Sequence, residues 1–209
     1  MTSFQNQKYI NPWLYTTISM VILMIIIGGI TRLTDSGLSM VEWRPIWGFL
    51  PPISDEEWKR VFSLYMSSPE YIFKNQGMSI IEFKKIFFWE YFHRLWGRLI
   101  GIVFIIPLII FYFFNKIPNS ILLKLLAILF LGCLQAIIGW WMVKSGLVND
   151  PTVSQYRLAV HLSNALLILF LLIWTLLEFK NGYSKIKLDF SLLIFCFLFL
   201  IISSKILNR

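Results

Sequence analysis

The stretch FFWEYFHRLWGRLIGIVFIIPLIIFYFF, Phe87 to Phe114, decides the fold. From Leu99 onward it is uncharged and apolar, the composition of a helix that crosses lipid. Its first part holds Glu90, His93, Arg94 and Arg98. Ionisable side chains at membrane depth are costly and mark function where they occur. At the helical period Glu90, His93, Arg94, Gly97 and Gly101 fall within about 100° of arc, with Arg98 on the flank. They form one face.

The rest of the chain fits that reading. It is 57% hydrophobic and 14% charged over 209 residues, with a mean hydropathy of +0.70, too apolar for a water-soluble core. The net charge of +8 sits largely in short segments beside apolar runs, where Lys and Arg set orientation and meet anionic lipid. Nucleic acid is therefore not an expected partner; the lipid bilayer is. Cys133 and Cys196 lie inside apolar runs with no metal-ligand spacing and read as small core residues.

Five apolar segments emerge: Tyr9–Thr31, Leu99–Asn115 with a helical extension upstream, Leu125–Val143, Leu158–Leu177 and the shorter Phe190–Ser204. The expected fold is an all-α polytopic membrane protein. Residues 1–178 form a four-helix transmembrane bundle that includes an outer helical loop at 31–85, and 179–209 form a cytoplasmic link and a fifth span. Lys8, Lys116, Lys124, Lys180, Lys185 and Lys187 all fall on one side if the N-terminus is cytoplasmic. The 31–85 connection balances seven basic against seven acidic residues and belongs outside.

That connection carries helix signals. Ser54-Asp55-Glu56-Glu57 and Ser79-Ile80-Ile81-Glu82 are capping boxes. The first precedes Trp58, Val61, Phe62 and Tyr65 at amphipathic spacing, and the second opens a helix running into the second span. A folded cap on the outer face is the expectation. Trp13, Trp140 and Trp141 read as interfacial aromatics.

A second polar stripe begins the fourth span: Arg157, His161, Asn164 and Ala165. With the N-terminus inside, the second and fourth spans run parallel, and each places its histidine a few turns below the outer surface. These are the two histidines of the chain. Two imidazoles at one depth in a four-helix bundle suit the axial positions of a haem iron, with Arg94, Arg98 and Arg157 toward propionates. Small residues along Gly28-Gly29, Gly97, Gly101 and Gly132-Gln135-Ala136-Gly139 serve helix packing, ligand clearance or both. The plainer alternative keeps Glu90 as an i, i+4 ion-pair partner of Arg94.

Four motifs in order, GGITRLTDSGLSMVEW (Gly28–Trp43), EFKKIFFWEYFHRLWGR (Glu82–Arg98), GWWMVKSGL (Gly139–Leu147) and VSQYRLAVHL (Val153–Leu162), closely resemble haem A synthase of the mitochondrial and alphaproteobacterial type. The resemblance covers about residues 12 to 178. That family has two similar four-helix bundles in an eight-span chain, so the resemblance implies the first bundle and the opening span of the second, as in a truncated or split synthase. The second bundle, with its own histidine pair for a haem b cofactor, is expected outside Met1–Arg209. Some members carry a cysteine pair in the first outer loop; residues 31–85 contain none.

The resemblance implies an oxidoreductase of the bacterial inner (cell) membrane that oxidises a methyl group of haem O to a formyl group, giving haem A for cytochrome oxidase. Glu90 is then the catalytic residue, and His93 and His161 ligate the haem iron. Haem O, haem O synthase and a second copy of the chain are the further partners expected. The other function classes are a haem-binding or cytochrome b-like electron-transfer protein without catalysis, and a transporter whose buried Glu and Arg line a pathway.

Overall fold

The computed structural model describes residues 2–42, 47–148 and 151–181. The expected fifth span, Phe190–Ser204, lies outside the described residues. Six α-helices follow in order: α1 (Thr2–Leu33), α2 (Asp55–Met66), α3 (Pro69–Phe73), α4 (Ile80–Phe113), α5 (Asn119–Gly146) and α6 (Gln155–Asn181), with a 3-10 turn at Trp47–Phe49. The fold is all-helical, as expected. Four of the helices, α1, α4, α5 and α6, are long and apolar enough to cross a membrane.

Local chemistry sets the ends. Ser54 accepts from the Glu57 N–H at 3.2 Å at the start of α2. At α4 both halves of the capping box form: Ser79 N–H and hydroxyl donate to Glu82 at 2.8 Å each, and Glu82 N–H donates to Ser79 Oγ at 3.3 Å. The helix that this box opens runs for 34 residues. α1 and α4 end on left-handed Asx residues, Asp35 (φ 49) and Asn115 (φ 51). In each case the next N–H reaches back five residues, Ser36 to Thr31 O at 3.0 Å and Lys116 to Phe111 O at 2.9 Å. The short helix α3, opened by Ser68 with Pro69 in its first turn, adds an element within the 31–85 connection beyond those its capping boxes indicate.

The chain divides into two compact units, residues 1–23, 99–138 and 159–209 in the first and 24–98 with 139–158 in the second. In the first unit Ile10, Leu14, Leu125 and Leu172 are buried. Pro107 cannot donate to Val103 O four residues back, and the Trp13 indole N–H takes that carbonyl at 2.9 Å. Trp13 is only 6% exposed and also meets Phe104 and Phe111, so it is a core residue and not the interfacial aromatic expected. Cys133 departs the other way: it is free and exposed. Gln7 donates to Phe179 O at 3.0 Å, and Lys124 pairs with Glu178, joining α1 and α5 to α6.

The second unit has an aromatic core. Tyr65, Phe83 and Phe87 are buried, with Trp58, Val61, Phe62 and Tyr71 packed on them. The apolar face of α2 therefore lies on the first turns of α4, the use its spacing indicated. Arg60 on the same helix bonds Glu42 twice, at 2.9 and 3.0 Å, and Glu57 at 2.8 and 2.9 Å, holding the segment after α1 to α2.

Candidate functional site

Glu90 is 3% exposed, and its carboxylate is the meeting point of α4 with the segment that follows α1. Arg94 Nη2 donates to Oε1 at 2.6 Å, the i, i+4 pair expected from the sequence. The Ser39 hydroxyl and the Met40 N–H both donate to Oε2 at 2.7 Å. Arg94 also reaches Met40 O at 3.3 Å, which closes the loop. Ser39 and Met40 are partners that helix periodicity could not supply, because they come from irregular chain. Their one signal was membership of the motif Gly28–Trp43. A cleft of about 410 Å³ opens beside them, bordered also by Glu42, Arg60 and Phe87.

One turn further along α4, His93 is half-buried. A Cβ added at Gly28 would lie 3.4 Å from His93 Nε2, and one at Gly97 would lie 3.3 Å from the Met24 methyl. The glycines on α1 and α4 therefore bring these helices close, and at Gly28 the absent side chain leaves an imidazole nitrogen facing bare backbone. Gly29, Gly101 and Gly132 would meet nothing within 4 Å. Arg98 is half-buried on the same helix. Arg157 donates to Trp141 O at 2.8 Å and lies 4.5 Å from the centre of the Trp141 ring. Trp140 and Trp141 are partly exposed, Trp140 under Lys144, in keeping with an interfacial position.

Glu90, His93, Arg94, Arg98 and Arg157 belong to the second unit, and His161 belongs to the first. There His161 is held by amides. Gln135 Nε2 lies 3.2 Å from His161 Nε2 and donates to His161 O at 3.1 Å. Asn164, 8% exposed, donates to Gln135 Oε1 at 2.7 Å and to Leu131 O at 3.1 Å. The stripes on α5 and α6 thus interlock through neutral hydrogen bonds, whereas the stripe on α4 is held by charge.

A further buried carboxyl lies outside the spans. Glu70, also 3% exposed, accepts from the Tyr65 hydroxyl at 3.0 Å, and Asn75 donates to that hydroxyl oxygen at 2.7 Å. Burial pushes the Glu70 carboxyl up to about 7, with the Tyr65 bond and Lys74 opposing and the charges of Glu90 and Asp35 adding to the rise. Burial likewise pushes the Tyr65 hydroxyl well above its usual range.

Apolar helices of spanning length, with an ion pair and two histidines on their polar stripes, define an integral membrane protein. Comparison with known proteins narrows this: the chain belongs to the COX15-CtaA family of cytochrome oxidase assembly proteins, which it matches over residues 11–207. It is 46% identical over 179 residues to the heme A synthase of Parvibaculum lavamentivorans, a match covering 86% of this chain and 52% of the relative. Against the heme A synthase of Rickettsia bellii the identity is 52% over 172 residues, 82% and 51% of the two chains. With that of Caulobacter vibrioides it is 45% over 190 residues, 90% and 55%. The chain spans about half the length of the curated relatives it matches. No solved structure matches it.

Proposed function

We propose that this chain is the substrate-haem half of a haem A synthase, an oxidoreductase that converts a methyl group of haem O to a formyl group. The carrying observation is the family match over residues 11–207, which runs through Glu90, His93 and His161 together. In this reading residues 1–178 are the first bundle. The protein lies in the bacterial inner membrane with its N-terminus in the cytoplasm, and haem b belongs to a second bundle outside residues 1–209. Haem O synthase is the natural neighbour, since it makes the substrate, and a second copy of the chain is a further partner.

The residues fit a haem substrate. His93 offers an imidazole nitrogen toward the bare backbone of Gly28, and His161 Nε2 lies 3.2 Å from the Gln135 amide nitrogen. Both are neutral-type iron ligands. Among the described residues no three of His, Cys, Asp and Glu gather into a metal site of their own, and a porphyrin, which brings four nitrogens, requires none. With water as the oxygen source, conversion of the methyl to a formyl group releases four electrons, which an external oxidant must take, and four protons, which need a base. Glu90 is that base in this reading: its Oε2 accepts from both Ser39 and Met40, whereas Oε1 keeps a lone pair beyond the one taken by Arg94. Arg94, Arg98 and Arg157 supply guanidinium groups for the propionates, Arg157 with donors beyond the one given to Trp141 O.

The test is a haem titration of the purified chain in detergent. His93→Ala and His161→Ala are each expected to change the visible spectrum of the bound haem; an unchanged spectrum in both variants removes the ligand assignment. Extraction of the porphyrin after incubation with haem O, donor and oxidant then separates synthase from carrier. A formyl product supports the enzyme, and haem O recovered unchanged supports the cytochrome b-like reading.

A further inference from the structure

The orientations of the two amides beside His161 are fixed by groups that can only accept. Leu131 O takes a hydrogen from Asn164 Nδ2 at 3.1 Å, so the Asn164 nitrogen, not its oxygen, faces α5. The second hydrogen of that nitrogen goes to Gln135 Oε1 at 2.7 Å, which assigns the Gln135 oxygen to the Asn164 side. His161 O accepts from Gln135 Nε2 at 3.1 Å and fixes the same assignment from the other end. One hydrogen of Gln135 Nε2 is left, and the atom it meets is His161 Nε2 at 3.2 Å.

An amide nitrogen has no lone pair with which to accept, so His161 Nε2 must be the acceptor in this contact. A neutral imidazole carries one proton and one available lone pair on its two ring nitrogens. With the lone pair on Nε2, the proton sits on Nδ1. The opposite tautomer would set an N–H of the ring against an N–H of Gln135.

We propose that Gln135 is a positioning residue that holds His161 as the Nδ1-protonated tautomer, so that Nε2 is the unprotonated ring nitrogen, the form the iron of a haem substrate takes. The recipient rests on the functional reading above; the tautomer does not. Asn164 acts one step back, by holding Gln135 in the donating orientation.

Nitrogen-15 NMR of the haem-free chain, labelled at the histidine rings and held in detergent, reads the tautomer directly. A His93→Gln variant assigns the signals, since the chain has two histidines. His161 is expected to show a protonated Nδ1 and an unprotonated Nε2. In Gln135→Met, which keeps the bulk and loses the donor, the two shifts should converge toward a tautomer mixture. A wild-type His161 protonated at Nε2 overturns the proposal, as does a Gln135→Met spectrum identical to wild type, and the wild-type measurement decides even if the variant fails to fold. The two readings fail separately. Nε2 protonation in a protein that binds haem overturns the Gln135 role alone, whereas an available Nε2 in a protein that takes up no haem overturns the functional reading and, with it, iron as the recipient.

Discussion

Glu90 and Glu70 are the same residue type at the same burial, 3% exposed, within one compact unit, yet their surroundings differ in kind. Glu90 meets a guanidinium, a hydroxyl and a backbone N–H, three donors that together satisfy both oxygens. Glu70 meets one phenol, and burial drives its carboxyl up to about 7. Burial alone therefore does not decide what a carboxyl does in this protein; the donors do. Glu90 is a tie between α4 and the segment after α1, and Glu70 is a group that changes charge near neutrality.

The largest expected effect breaks the tie. Glu90→Ala leaves Arg94, whose side chain is 16% exposed, as an unpaired buried cation, which costs about 3–5 kcal/mol. Glu90→Gln, which still accepts from Ser39 and Met40, should cost clearly less. Thermal unfolding in detergent, followed by circular dichroism, ranks the two. Equal losses would mean that the bonds from Ser39 and Met40 contribute little and that the charge of Glu90 beside Arg94 carries the effect. This ranking also guards the functional test, because a loss of haem A formation in Glu90→Ala signifies catalysis only where the fold survives.

Next comes Glu70. Its folded pKa of about 7 lies above the ordinary carboxyl value of 4.5, so the folded state binds the proton more tightly than the unfolded one. The associated stability is fully present below about pH 4.5 and is lost as the pH rises through about 7. The gap corresponds to about 3 kcal/mol. Wild-type protein should therefore melt at a higher temperature at pH 5 than at pH 8, and Glu70→Gln, which still accepts from Tyr65, should flatten that slope and raise the melting point at pH 8. A slope unchanged in Glu70→Gln would assign the pH dependence to other groups.

The contrast between these carboxyls also marks what was legible beforehand. Glu90–Arg94 could be read because an i, i+4 spacing on a helix is a distance, and the capping boxes and the α2 face could be read for the same reason. Partners brought in by irregular chain could not: nothing in spacing takes Ser39 and Met40 to Glu90, or Tyr65 across the Ser67-Ser68 turn to Glu70. Trp13 was misjudged because its burial depends on a carbonyl freed by Pro107 on another helix. Gln135 was visible as part of a small-residue stripe, but its work depends on which way an amide points, and that is set by Leu131 O and His161 O. The four spans were legible throughout, since lipid imposes length and polarity on every turn.

The smallest effect sharpens the account of Glu90. Ser39 supplies one of its three donors, beside the Met40 N–H from the same segment. Removing a hydrogen bond to a buried carboxylate costs about 2 kcal/mol, so Ser39→Ala should lower stability by that amount while leaving Arg94 paired. Ser39→Thr keeps the hydroxyl and should restore most of the loss. If Ser39→Ala instead matched Glu90→Ala, the carboxylate would be held chiefly by the segment after α1, and the ion pair along α4 would be secondary. If it cost nothing, Met40 N–H and Arg94 would suffice to place the carboxylate, and the Ser39 hydroxyl would be free to serve whatever occupies the cleft of about 410 Å³ that Ser39 borders.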